Sequence, residues 1–298
     1  MKITIHTATY NRAYILGQAY ESLKKQTCKD FEWVITDDGS TDETEKLVNR
    51  WMKEDNGFEI IYNKLEHVGI PRALNSGVNL AKTEWFMIVD SDDYILPETV
   101  EKVLGWINEV RKIPHICGIG YARCYPDGKY MKDQEPIIDP VVGYVDAGNC
   151  ERGKYNLDMD MVEAYRTEIL KKYPFQCWPG EQFAPEQLSL NAMSLDGYKV
   201  RWHADKLYVC EYLEDGVTKS STVVKNNPMG FAMMYNQNLL IHKGFRDKFR
   251  DAMQMTALCL YSGNNQYLKE TNSKFYTIIS YPAGLLLSKR RKKQFEKM

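Results

Sequence analysis

The chain lacks any run of about 18 apolar residues, so no segment of it reads as a membrane-spanning helix. Its longest apolar candidate, Ile278 to Leu287, is shorter and is interrupted by Pro282 and Gly284. The opening Met1-Lys2-Ile3-Thr4-Ile5-His6 has no apolar core of a secretory signal, and the expected location is cytoplasmic. Internal repeats and low-complexity stretches are absent, which sets aside solenoids and disordered tails. An excess of charge is missing too. The formal net charge is −1, so no field over the whole surface draws the chain to nucleic acid, and no nucleic-acid partner is expected. None of the seven cysteines (Cys28, Cys117, Cys124, Cys150, Cys177, Cys210 and Cys259) forms a C-x-x-C pair. An odd, scattered set without that spacing reads as free thiols in a reducing compartment. What is present is ordinary: 44% hydrophobic and 27% charged residues over 298 positions, enough for one large α/β domain or two small ones.

Up to about residue 110 the pattern alternates. Strand signals at Lys2–Thr7, Phe31–Thr36, Glu59–Asn63 and Trp85–Val89 alternate with helical spacing at 13–25, 44–53, 70–81 and 97–110. That order predicts βαβ units and a mainly parallel sheet, an α/β fold whose ligands bind beyond the carboxyl ends of the strands. Polar clusters follow three of those strands: Ala8-Thr9-Tyr10-Asn11, Asp37-Asp38 and Asp90-Ser91-Asp92-Asp93. The second half is less regular, with a strand at 115–125, a loop-rich stretch at 127–154, a partly helical stretch at 159–172, a helix at 185–195, strand at 199–213 and helix over 227–268.

Three carboxylates in four residues at 90–93 are costly unless a positive charge compensates them. A hard divalent cation such as Mn²⁺ or Mg²⁺ does so and shares its other positions with phosphates; a solvated turn capping the helix at Pro97 is the rival reading. Asp37-Asp38-Gly39-Ser40-Thr41-Asp42 reads as a nucleoside pocket or as a turn and helix cap. Arg72 suits a phosphate or a solvent-facing position. Glu186, behind Pro185 at a helix start, suits either a general base or the helix dipole, and Glu181 precedes it. His203 and His242 stand alone, as packed or solvated histidines usually do.

The ordered set resembles family 2 glycosyltransferases of the GT-A fold. It comprises Thr9-Tyr10-Asn11-Arg12, Gln26-Thr27, Val34 to Asp42, Ala73-Leu74-Asn75-Ser76-Gly77 and Val89 to Asp93. Gly180 to Glu186 and Glu211 to Thr218 are similar to a subgroup associated with bacterial surface polysaccharides. The resemblance implies an inverting transfer from a nucleotide-sugar donor, usually a UDP-sugar, to a glycan or lipid-linked glycan acceptor. Ala8, Thr9, Tyr10 and Asp38 would hold the nucleoside. Asp90, Ser91 and Asp92 would meet ribose and diphosphate, with Asp92 and Asp93 on the metal. Asn75 would line the donor site. Arg72 would stand in for the arginine that many members carry where this chain has Leu74. Glu186 would be the base, without the second acidic residue that many relatives carry and this chain replaces with Gln187.

The expected domains are a GT-A domain over 1–220, with a nucleotide-binding half at 1–110 and an acceptor half at 111–220, and a helical extension over 221–298. In that extension the apolar Tyr281 to Leu287 adjoins Lys289-Arg290-Arg291-Lys292-Lys293, which suits an anionic membrane surface or a solvated helix. A nucleotide-sugar-binding protein without catalysis, or a basic-tailed membrane adaptor, is the alternative.

Overall fold

The computed structural model describes residues 2–210 and 222–297, so the Glu211 to Thr218 motif lies outside the described residues. The chain divides into two compact units. One comprises Met1–Pro174 and Ala192–Tyr212, the other Phe175–Asn191 and Leu213–Met298. The units do not follow one another in sequence: Phe175–Asn191, expected within a first domain ending at 220, groups with the C-terminal helices.

The first unit is a sheet with flanking helices. In chain order it contains β1 (Ile3–Thr9), α1 (Gly17–Lys24), β2 (Phe31–Asp37), α2 (Thr44–Trp51), β3 (Glu59–Lys64), α3 (Ile70–Leu80), β4 (Trp85–Ile88), β5 (Tyr94–Ile95) and α4 (Thr99–Val110). After these come β6 (Ile116–Cys124), β7 (Val145–Ala147), β8 (Met161–Arg166), α5 (Thr167–Lys172) and β9 (Lys199–Val209); α6 (Gln187–Leu195) begins in the second unit and ends in the first. The strand order is β3-β2-β1-β4-β8-β6-β9-β5, with β7 also paired to β9. β1 to β4 are mutually parallel, as the alternation predicted. β1 and β2 are buried along both faces although neither is continuously apolar: Thr4 donates to Glu32 and His6 shares a hydrogen bond with Thr36, so the buried polar side chains of the two strands satisfy one another.

The later sheet departs from the expected pattern. Met161–Arg166, read with 159–172 as partly helical, is a strand, and only Thr167–Lys172 is helix. β8 runs antiparallel to both β4 and β6. Because β8 is reversed, β6 and β9 point the same way as β4, so the carboxyl ends of β1, β2, β4, β6 and β9 share one edge.

α3 approaches the sheet closely because of Gly77. A Cβ there would stand 2.1 Å from Cδ2 of His6. His6 is fully buried, stacks on Phe86 at 5.2 Å and shares a 2.9 Å hydrogen bond between Nε2 and Thr36 Oγ1. Burial lowers its pKa to about 3.

The second unit contains α7 (Val223–Asn226), α8 (Pro228–Ile241), α9 (Phe245–Ser262), α10 (Tyr267–Glu270) and α11 (Lys274–Phe295). Ala232, Met255, Leu258, Cys259 and Tyr267 form its core. Phe175–Asn191 is tied to these helices by polar contacts: Asn227 Oδ1 accepts from the N–H groups of Gln182 and Phe183, both at 2.9 Å. All seven cysteines are free, and no described helix is long and apolar enough to cross a membrane.

Candidate active site

The loops that follow β1, β2 and β4 meet at the shared edge of the sheet. The register pairs Thr9 with Asp37, which puts Tyr10 and Asp38 side by side, and the Asp38 N–H donates to Thr9 O at 2.8 Å. Asn11, in the left-handed region at φ 52°, locks the first loop to the second. Its Oδ1 accepts from the Thr41 N–H at 2.8 Å, and its own N–H donates to Ser40 Oγ at 2.8 Å. These contacts give Thr9-Tyr10-Asn11-Arg12 a structural purpose beside any role in binding.

Asp38 is buried, and its carboxylate is engaged by the loop before α3. Oδ1 accepts from the Val68 N–H at 2.6 Å, Oδ2 from the Gly69 N–H at 3.0 Å, and His67 Nδ1 lies 3.1 Å from Oδ2. His67 in turn stacks on the half-exposed Tyr10, the rings 4.0 Å apart and inclined by 18°. The carboxylate expected to receive a nucleobase therefore also fixes the aromatic pair beside it. Arg72, in the first turn of α3, donates from Nη1 to Val68 O at 2.7 Å, which ties it to the same loop. Asn75 is one turn further along α3 and only partly buried. Ala8 is also partly buried, and Thr9 is buried.

The acidic loop is a tight turn in which the Asp93 N–H donates to Asp90 O at 3.2 Å and Ser91 is buried. Its carboxylates differ sharply in exposure: the side chains of Asp90, Asp92 and Asp93 are 44%, 22% and 6% exposed. Two arginines serve them. Arg12 Nη1 lies 3.5 Å from Asp92 Oδ2, which joins the β1 loop to the acidic loop. Arg123 Nη1, from β6, reaches Asp90 Oδ2 at 3.0 Å and Asp93 Oδ2 at 3.3 Å. Tyr208, from β9, accepts from the Asp90 N–H at 2.9 Å and lies 3.3 Å from Asp90 Oδ2, while its ring faces the Arg123 guanidinium at 4.5 Å. Burial first, and the neighbouring Asp90 second, push the Asp93 carboxyl up to about 8. Asp93, expected on a metal, thus faces an arginine in a buried setting, and Asp90 and Asp92 are the more open carboxylates.

Arg123 and Tyr208 were missed in the sequence. Their one local signal is a lone arginine in the otherwise apolar, buried β6. The donor chemistry suits a hard cation, since the loop presents carboxylate oxygens at high density. Among the described residues no three side chains form a ready-made metal cage, so such a cation would draw its remaining ligands from phosphate and water.

The two glutamates of the second unit part company. Glu181 is buried, and both its oxygens cap the start of α8, accepting from the Met229 N–H at 2.6 Å and the Gly230 N–H at 2.9 Å. Burial raises its pKa. Glu186 is exposed immediately before α6, and its carbonyl accepts from Ser189 and Leu190. His203 stacks on Trp106 at 4.0 Å, and burial lowers its pKa to about 4, the mark of a packed neutral imidazole. His242 Nδ1 lies 2.6 Å from the buried Asp251.

A parallel α/β edge bearing these loops has counterparts among known proteins. Residues 4–173, more than half of the chain, match the sequence profile of Glycosyl transferase family 2, and the chain belongs to that family. Glycosyltransferase GlyG of Streptococcus pneumoniae is 31% identical over 107 residues, 36% of this chain and 35% of GlyG. A GalNAc(5)-diNAcBac-PP-undecaprenol beta-1,3-glucosyltransferase of Campylobacter jejuni is 29% identical over 108 residues, 36% of this chain and 35% of that enzyme. Each match spans little more than a third of the relative's length. S. aureus TarS 1–349 in complex with UDP-GlcNAc aligns with 99% of this chain and 84% of its own, at TM-score 0.64 and 19% identity. The mannosyltransferase PcManGT of Pyrobaculum calidifontis, in complex with GDP-Man and Mn²⁺, aligns with 99% of this chain and 83% of its own, at TM-score 0.55 and 14% identity. The fold is GT-A.

Proposed function

We propose that this chain is an inverting glycosyltransferase. It takes a sugar from a nucleoside-diphosphate donor, UDP-sugars first among them, and passes it to a glycan or lipid-linked glycan of a bacterial surface polysaccharide. The observation that carries this reading is the pair of contact sets gathered at one sheet edge, Tyr10–His67–Asp38 and Arg12–Asp92, which the loop after β1 joins. It supplies an aromatic surface and a carboxylate for a nucleoside, and a carboxylate cluster for a diphosphate with its cation. The relatives' names point the same way: one acts on an undecaprenol-linked glycan, and TarS was crystallised with UDP-GlcNAc.

In this reading Tyr10 and Asp38 hold the base, with Ala8 and Thr9 in the loop beneath it. Asp90 and Ser91 lie toward the ribose. Arg72 and Asn75, on α3, lie toward the phosphates. Asp92, with Asp93 behind it, would hold Mn²⁺ or Mg²⁺, and a bound divalent cation would offset the charge that gathers on the departing diphosphate. The acceptor hydroxyl oxygen forms its bond to the anomeric carbon as the bond to the diphosphate oxygen breaks. Glu186 takes the hydroxyl proton. Glu181 is the weaker candidate, because both its oxygens already accept backbone N–H groups. The acceptor would be bound by residues 111–220. The enzyme would work in the cytoplasm at the inner face of the membrane, where a lipid-linked acceptor is reached.

Calorimetry with UDP and Mn²⁺ tests the donor site. Asp92→Ala should weaken metal-dependent affinity at least tenfold and leave metal-free binding nearly unchanged. Equal affinities with Mn²⁺ would remove Asp92 from the metal.

A further inference from the structure

The last long helix of the second unit is built inside out. A surface helix normally turns its large apolar residues to the core and its small or polar ones to water. Over Thr277–Ser288 of α11 the buried positions are Thr277, Ser280, Gly284 and Ser288, and the helix's remaining buried residue, Phe295, lies in its last turn against Tyr261 of α9 at 5.0 Å. The four small residues let the helix lie close on α9: a Cβ at Gly284 would stand 2.8 Å from Thr256 Cγ2. Most of the large apolar side chains of that stretch lie on the other side, with Leu285 and Leu287 partly buried between the two faces. Phe275 and Ile278 are each 61% exposed, Leu286 is 69% exposed, and Ile279 is 37% exposed. With Pro282 they recur at i, i+3, i+4, i+7 and i+11, which at about 100° per residue confines them to an arc of roughly 100°. Phe245, at the start of α9, is 58% exposed and packs on Tyr276 at 5.6 Å, which widens the patch.

The same arc continues into positive charge. Lys289, Arg290 and Lys293 fall within or beside it, Lys292 is also exposed, and no acidic residue occurs anywhere in Lys274–Phe295. Arg291 alone of the basic run turns inward, to Gln254 of α9. An apolar strip that ends in exposed lysines and arginines matches a surface that is apolar beneath and anionic above. A second protein copy would have to answer the strip with an apolar face and the basic end with acidic groups. α11 itself offers no such acidic groups to a symmetric partner.

We propose that α11 lies in the plane of an anionic lipid bilayer, with Phe275, Ile278, Ile279, Pro282 and Leu286 in the acyl boundary and the basic run against the headgroups. This names the face responsible for the membrane location proposed above, and it does not depend on the sugar-transfer chemistry.

The test is co-flotation of the full chain with phosphatidylcholine vesicles, with and without phosphatidylglycerol, and with soluble-donor hydrolysis measured in parallel. The wild-type chain floats with the anionic vesicles and is released by salt. Ile278→Asp with Leu286→Asp abolishes flotation, while the thermal midpoint and donor hydrolysis stay at wild-type values. Lys289→Glu with Arg290→Glu and Lys293→Glu lowers the partition coefficient on the order of 100-fold, at about two-thirds of a decade for each basic residue removed from the headgroups. Leu286→Trp emits further to the blue when anionic vesicles are added. The proposal fails if the double aspartate variant floats as the wild type does, in which case membrane binding stands but lies elsewhere on the chain. It fails as well if the wild type floats with neither vesicle. It also fails if Ile278→Asp converts a dimer to a monomer in sedimentation velocity, or if single-stranded RNA binds the basic run while vesicles do not. Donor hydrolysis that persists in any of these cases leaves the transferase reading intact.

Discussion

Glu181 and Glu186 stand five positions apart in one segment, and replacing each with glutamine should have opposite effects. Glu181 is buried, with one oxygen on the Met229 N–H at 2.6 Å and the other on the Gly230 N–H at 2.9 Å, at the start of the 14-residue α8. Glutamine keeps one acceptor and turns an amide N–H₂ toward a backbone N–H. A charge-assisted hydrogen bond contributes about 1.5–3 kcal/mol net, and a buried donor left facing a donor costs about 1–3 kcal/mol more. Burial already raises the Glu181 pKa, so part of its charge-assisted stabilisation is offset by desolvation, and the lower half of the sum applies. Glu181→Gln should therefore cost about 2–4 kcal/mol, felt in the second unit. Glu186 is exposed at the start of α6, where a carboxylate interacts with the helix dipole for only about 0.3–1 kcal/mol, so Glu186→Gln should unfold almost as the wild type does. Turnover should divide the other way. Glu186 is the proposed base, and loss of a general base costs about 10²–10⁴-fold, so on that proposal Glu186→Gln should lose turnover by that factor at unchanged donor affinity. Glu181→Gln, measured well below its midpoint, should keep turnover within about tenfold of wild type, far above the loss of a base. Urea unfolding followed by circular dichroism and a donor–acceptor transfer assay provide the two axes. A stable but inactive Glu181→Gln beside an active Glu186→Gln would reverse the assignment.

Two further outcomes follow from the first unit. Arg123→Met removes the cation that serves Asp90 and Asp93, together with its contact over Tyr208. Asp90 is half exposed and burial already favours the protonated form of Asp93, both of which limit the loss, and we expect about 1–2 kcal/mol in urea titration at neutral pH, part of it recovered by adding Asp93→Asn; a change below about 0.5 kcal/mol would show that the arginine is not needed there. The second outcome is acid sensitivity. His6 and His203 are held at about 3 and about 4, below the ordinary 6.5, so the unfolded chain binds protons that the folded chain refuses. Stability is then complete above pH 6.5 and falls as pH drops toward the folded values, by about 2 kcal/mol for each histidine at pH 5. His203→Gln should flatten roughly half of that slope between pH 7 and pH 5, and an unchanged slope would refute the role given to its burial.

How much of this was legible in the sequence depended on how local the cause was. β4 was readable because it is a short, continuously apolar run, β1 and β2 because they are rich in β-branched and aromatic residues, and the clusters at Tyr10, Asp38 and Asp90–Asp93 were readable because they close those strands. β8 was not. Its six residues, Met-Val-Glu-Ala-Tyr-Arg, lead straight into α5, and nothing within them says that they pair backwards between β4 and β6. Yet that reversal brings two missed residues to the site. An antiparallel strand between β4 and β6 leaves β6 and β9 parallel to β4, so Arg123 and Tyr208 end at the same edge as Asp90. Tyr208 meets Asp90 across 118 positions of sequence, a distance that only topology closes. The acidic loop could be identified as chemistry from its own residues. What holds its carboxylates in place comes from the half of the sheet whose order the sequence did not reveal, so changes in β6 or β9 should alter donor binding without touching any residue of the recognisable motifs.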